Sequence, residues 1–218
     1  MGISVGGTTA SGTTVTTASG TSAASGSTFL VGISFDNPSS ITSVSDSKGN
    51  TYTLVGSVVN NATGAFKSAV YKCENGTGGA SHTATVVISP SNTISLHLFE
   101  VDGGTPIVDV SNEGTDGATP WQSPSVTQTY PIETLVSYIT TDGTTAGTFT
   151  AQAGMTKGAS FIDSGVTVWP SGFASTTTNV AGGRIGSWTD TSTSANAAVH
   201  IIALKPTSTT FSGGYLKA

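Results

Sequence analysis

The chain is short of cysteine, of charge and of long apolar runs. Cys73 is the one cysteine in 218 residues, and charged residues make up 9%. A lone thiol excludes an intrachain disulfide framework and a multi-cysteine zinc site, and it favours synthesis in a reducing compartment. Ordinary globular proteins carry about 25% charged residues, so the surface here is expected to be hydroxyl-rich rather than ionic. Seven Lys and Arg against twelve Asp and Glu leave a net charge of -5, with no basic run. Nucleic-acid affinity rests on neutralising phosphates with clustered cations, so no nucleic-acid partner is expected. No stretch approaches the roughly 18 consecutive apolar residues of a membrane span, so no membrane partner is expected either. The first residues, Met1-Gly2-Ile3-Ser4-Val5-Gly6-Gly7, have neither the basic nor the apolar region of a secretion signal. Synthesis in a cytoplasm is the expectation.

What the chain has in abundance is hydroxyl. Ser and Thr fill about a third of its positions. Its apolar fraction of 36% is nevertheless too high for a wholly unfolded chain. A chain of this length can bury roughly 70% of its unfolded surface, enough for a core without metal or disulfide. Residues 8–13 read TTASGT and residues 16–21 repeat TTASGT, with almost no large apolar side chain nearby. Residues 1–27 are therefore read as a low-complexity N-terminal arm, either a flexible linker-like segment or Thr-rich strands that order against the domain or a neighbouring subunit. Residues 28–206 are the domain and 207–218 a polar C-terminal tail.

From Phe29 onward, short runs of Val, Ile, Thr and aromatics alternate with Gly, Asn, Asp and Pro. The runs are 29–35, 51–59, 66–73, 82–88, 93–101, 133–140, 167–170 and 196–205. Turn chemistry separates them at Asp36-Asn37-Pro38, Pro90-Ser91-Asn92, Asp102-Gly103-Gly104, Asp116-Gly117 and Asp142-Gly143. No segment holds a helical period over three turns. The reading is an all-β chain forming a single antiparallel, jelly-roll-like β-sandwich. Ala84, Val86 and Ile88 alternate with Thr83, Thr85 and Val87, while His97 and Phe99 share a face opposite Leu96 and Leu98. The second strand is therefore expected to be covered on both sides near Phe99.

Few residues propose chemistry. Asp46-Ser47-Lys48-Gly49-Asn50 places oxygen-bearing side chains around a glycine. An EF-hand-type calcium loop counted from Asp46 fails at positions 3, 6 and 12. Val44 on one side and Tyr52, Leu54 and Val55 on the other suit a β-hairpin tip, with Gly49 at positive φ. Nucleophilic catalysis needs Ser or Cys beside His and an orienting acid. His82, His97 and His200 instead sit in or beside predicted strands, as satisfied structural histidines do. No catalytic, cofactor-binding or metal-binding residue is assigned. Asp102, Asp109, Glu113 and Asp116 form the densest acidic stretch, with irregular gaps that read as solvated loop charges. Gly182-Gly183-Arg184-Ile185-Gly186 lacks the Lys-Ser/Thr of a phosphate cradle and reads as a bend feeding a strand. Trp121, Trp169 and Trp188 are core residues or a sugar-stacking platform.

The order of features across residues 40–206 resembles a β-sandwich module that recurs in tailed-bacteriophage virion proteins and some bacterial surface proteins. Asp46, Gly49, Asn50 and Tyr52 match its D-x-x-G-N-x-[YW] turn. Tyr71, Thr83 and Val86 match its aromatic and T-x-T-V strands, Glu100, Pro106 and Asp109 its Glu-ended strand, and Ala203 and Pro206 its closing strand. The resemblance implies a non-enzymatic virion structural protein, a head decoration, head fibre or tail-associated subunit. Its partners would be other virion proteins and copies of itself in a homo-oligomer, and its location the virion after synthesis in a host cytoplasm. The alternative is an adhesin or receptor-binding module that contacts host surface glycans.

Overall fold

β-Branched and aromatic side chains pack well on an extended, pleated backbone, and the segments rich in them become strands. The structure, a computed structural model, describes residues 2–102, 105–130, 132–143, 148–159, 169–178, 182–191 and 194–207. In chain order the strands are β1 (Gly2–Thr16), β2 (Ser25–Asp36), β3 (Ser40–Asp46), β4 (Thr53–Asn60), β5 (Phe66–Thr77), β6 (Ala84–Val101), β7 (Ile107–Asp116) and β8 (Trp121–Gln122). Then follow β9 (Val126–Thr127), β10 (Glu133–Thr141), β11 (Phe149–Ala151), β12 (Thr156–Lys157), β13 (Ser171–Thr178), β14 (Gly183–Arg184), β15 (Ser187–Asp190) and β16 (Ala197–Lys205). No helix occurs among the described residues. Every pairing is antiparallel.

Two sheets form the centre. The first runs β1-β6-β2-β5-β4 and the second β12-β13-β10-β16-β7. β6 serves twice. Its second half pairs with β2, and its first half, Ala84–Ser89, pairs with β3. β1 follows it throughout, but Gly12 faces Asn92 while Thr14 faces Val87, so four residues of β6 (88–91) stand against one of β1 (13). This irregularity folds the first half of β6 back as a flap, made with β3 and the end of β1. Val15, Ala84, Val86 and Ile88 on the flap close over Phe29, Val31, Ile33, Phe35, Ile94, Leu96 and Leu98.

The other face of the first sheet meets the second through Leu30, Val70, Phe99, Val136, Tyr138, Phe173, Ile202 and Leu204. Gly32 lies beneath this contact, where a Cβ would come within 2.5 Å of the Tyr138 ring. On the far side of the second sheet, β11-β15-β8 and β14-β9 cover Ile139, Val199, Trp121 and Trp188, and Leu135, Ile201 and Val126 respectively. The middle strands of each central sheet are thus covered on both faces. For that reason β2, β10 and β16 are buried along nearly their whole length instead of alternating.

The antiparallel all-β reading holds, and four of its details change. Gly2–Thr16 is a strand of the domain's own sheet, with Val5 and Val15 buried, so the ordered reading of the arm applies and residue 27 marks no boundary. Asp46-Ser47-Lys48-Gly49-Asn50 is a turn with Gly49 at φ 77°, but it is not a hairpin tip. β3 pairs with β6 and β4 with β5, so this turn carries the chain from the flap down to the first sheet. Runs 82–88 and 93–101 are one bent strand, and Trp169-Pro170 is irregular. Thr167 and Val168, and the tail beyond Thr207, lie outside the described residues.

Candidate functional site

Asp46 ends β3 and anchors a buried polar cluster. Its Oδ1 accepts the N–H groups of Lys48 (2.9 Å) and Asn50 (3.0 Å), while Oδ2 accepts Asn50 Nδ2 (2.6 Å), the Tyr52 hydroxyl (2.9 Å) and His82 Nε2 (2.9 Å). An Asp side chain bonding N–H groups two and four residues on is local turn chemistry. The Asp46 and His82 side chains are fully buried. Burial raises the carboxyl pKa, but the bonds from His82, Asn50 and Tyr52 outweigh it and hold the group below the usual carboxylate value. Burial, followed by the Asp46 charge, pushes the Tyr52 hydroxyl well up. Burial and Asp46 likewise raise the Cys73 thiol.

On the other side of the ring, His82 Nδ1 lies 2.8 Å from Ser22 Oγ, within hydrogen-bond distance. Ser22 Oγ in turn accepts the Gly79 N–H at 3.0 Å, and the imidazole stands edge-on to Phe29 with centroids 4.7 Å apart. One residue on, the Ala23 N–H reaches both oxygens of buried Glu100 (2.9 and 3.1 Å), which also accepts from Ser27 Oγ at 2.6 Å. Asn50 exchanges bonds with the backbone of Thr77, Lys48 Nζ reaches the Ala80 carbonyl, and Ser47 bonds Ser81 and Thr83. Three segments distant in sequence, 17–24, 46–52 and 77–83, are clasped together.

Ser22, His82 and Asp46 stand in the donor order of a nucleophilic relay. A relay also needs a nucleophile lone pair facing substrate and N–H donors where an oxyanion would form. Here Gly79 N–H occupies the Ser22 oxygen, and the nearby Ala23 N–H is spent on a carboxylate that would repel an oxyanion. A Cβ at Gly78 would stand 2.4 Å from Ser22 Oγ and 2.0 Å from the Ala23 carbonyl, so the 77–83 segment lies directly on the serine. In this arrangement the three side chains act as a clasp.

The other two histidines lie in a second polar cluster, between the central sheets. His97 Nε2 and Ser171 Oγ are 2.9 Å apart, His200 Nε2 and Ser68 Oγ 2.9 Å, and Tyr138 and Ser34 hydroxyls 2.8 Å. Burial pushes His200 down to about 3, so its ring is neutral. Burial also raises the Tyr138 hydroxyl. All three histidines are buried against serine.

The acidic stretch is not merely solvated. Asp109 accepts from Lys205 Nζ (2.7 Å) and Thr129, Glu113 from the Ser57 N–H and hydroxyl (both 2.7 Å), and Asp116 from the Gln122 N–H (2.8 Å). Each carboxylate ties one loop or edge to another. Among the described residues no three His, Cys, Asp or Glu side chains gather as a metal site. Arg184 sits in a two-residue strand against Val126, as a bend feeding a strand would have it. Trp121 and Trp188 are core residues, 2% and 0% exposed, and Trp169 packs on Phe66 and donates to Asp36. The tryptophans form no exposed platform. No family model, curated protein or solved structure matches this chain.

Proposed function

We propose that this chain is a non-enzymatic virion structural subunit, a head decoration, head fibre or tail-associated protein that works by assembling with copies of itself and with other virion proteins. The observation that carries the reading is where its reactive groups are spent. All three histidines are buried in bonds to serine, and Asp46, Glu100 and Glu133 are buried carboxylates held by N–H and O–H donors. Such a chain devotes its polar side chains to joining layers, which suits a part that must persist as a scaffold. The virion itself enters through the resemblance at Asp46-x-x-Gly49-Asn50-x-Tyr52 and the strands that follow.

The test is to express the chain with an epitope tag in the host that makes the particle, purify particles by density gradient, and count tags by quantitative mass spectrometry and gold labelling. Tags at a fixed whole-number ratio to the shell or tail protein, on one particle feature, are expected. Tags that stay in the soluble fraction while particles form without them contradict the reading.

A further inference from the structure

The flap has three strands and the sheet beneath it has five. Its outermost member, β3, pairs with β6 on one side and has no partner on the other among the described residues. Beyond that free edge the flap-facing side of β5 and β4 is uncovered. Leu54 lies opposite Tyr71, which lies opposite the core residue Val31, so all three share this face. Leu54 and Val58 are 37% and 36% exposed. A groove of about 280 Å³ runs there, lined by Phe35, Ile41, Val58, Tyr71, Asn60 and Lys67.

We infer that a second copy of this chain supplies the missing strand, laying an extended edge along β3 and over Tyr71, Leu54 and Val58. The inference rests on the assembly reading above and names its contact. The spacing fits: one further strand, about 4.8 Å from β3, would lie over the uncovered apolar stripe. Charge selects the occupant. Natural edges are guarded by Lys or Pro within the strand, yet residues 37–45 and 49–66 hold no charged residue. The ammonium of Lys67, at the groove's end, is tied to the carbonyls of Pro38 and Ser39. Copies of a chain with net charge -5 repel one another over most of their surface and meet without that penalty here. Backbone bonds along β3 would give affinity, and the Tyr71 stripe would fix the register.

The test uses the full chain. Sedimentation velocity over a concentration series measures self-association, and hydrogen exchange of the dilute and concentrated protein reports on the β3 amides. Association is expected, with amides of residues 40–46 slowing as it forms. Replacing Leu54 and Val58 by Glu should weaken it at least about tenfold, equivalent to 1.4 kcal/mol, with an unchanged melting curve. Ile132→Glu, at an exposed apolar residue that does not line the groove, should leave it unaltered. Association that survives the double variant, or leaves β3 exchange unchanged, overturns the inference while the assembly reading stands. A strictly monomeric chain overturns the inference together with self-assembly, leaving the particle count to judge assembly with other proteins.

Discussion

The clasp at Asp46 and the polar cluster between the central sheets solve one problem in two ways. Both bury histidine in a mostly apolar interior, and both give it a serine hydroxyl as partner. The clasp adds a carboxylate and surrounds it with five donors. The inter-sheet cluster puts Tyr138 and serines beside its histidines, and His200 stays neutral because burial disfavours its charged form. A buried charge is tolerable only when its donors are in place. The clasp therefore depends on three segments meeting, whereas the inter-sheet cluster depends on keeping protons out.

Mutation separates the two most strongly at Asp46. Asp46→Ala strands the His82 and Tyr52 donors in the interior and should cost about 3–5 kcal/mol, read as a lower urea midpoint. Gly32→Ala drives a methyl toward the Tyr138 ring and should cost about 1–3 kcal/mol. This tests the inter-sheet contact without touching the clasp. An equal loss from both substitutions would erase the distinction between a polar hub and a packing contact.

Acid should find the two regions at different pH. His200 is held near 3 in the fold against 6.5 when free, so the unfolded chain binds a proton first. Its contribution is complete above pH about 6.5 and shrinks on acidification, by about 2 kcal/mol at pH 5. His200→Gln should flatten that part of the curve. The Asp46 carboxyl is lowered in the fold, so its contribution is complete above the unfolded value near 3.8 and disappears as pH falls through the lower folded value. Asp109, lowered with the help of Lys205 and Thr129 against the opposing effect of burial, has the same sign.

A smaller effect is expected at Gly49, whose φ of 77° favours glycine and whose Cβ direction is open. Gly49→Val should cost about 1–2 kcal/mol from backbone strain alone, seen as a lower melting temperature. A chelator should leave that temperature unmoved, since the five contacts to Asp46 are N–H and O–H donors. A fall on chelation would replace the clasp with an ion site.

Much of the fold was legible because strands announce themselves by composition. The runs at 29–35, 66–73, 133–140 and 196–205 became β2, β5, β10 and β16. β7, with its sequence IVDVSNEGTD, reads as acidic loop because its charges fall at irregular gaps beside turn glycines, and its partners, such as Ser57 for Glu113, are distant in the chain. β1 was hidden by the weak apolar content of the TTASGT repeat. Val5 and Val15 anchor it, and hydroxyl pairs such as Thr9 with Ser95 and Thr16 with Thr85 join it to β6. The local motif around Asp46 holds Asn50 and Tyr52, four and six residues away, which the structure bonds to its carboxylate. It gave no sign of His82 or Ser22, which the bend in β6 and the 17–24 crossing bring from 36 and 60 residues apart. The hairpin reading failed for the same reason, since local turn chemistry does not say which strands the turn joins.

The central claim is that the Ser22-His82-Asp46 chain serves to hold the fold together through a charged carboxylate. The direct measurement is the unfolding free energy of the native chain and of Asp46→Asn, determined side by side from pH 7 to pH 2. The claim predicts a large gap at neutral pH that closes as pH falls from about 4 toward the lower folded value, because the unfolded chain takes up the proton that the folded carboxyl still refuses. Curves that run parallel to pH 2, or that coincide at pH 7, would contradict it.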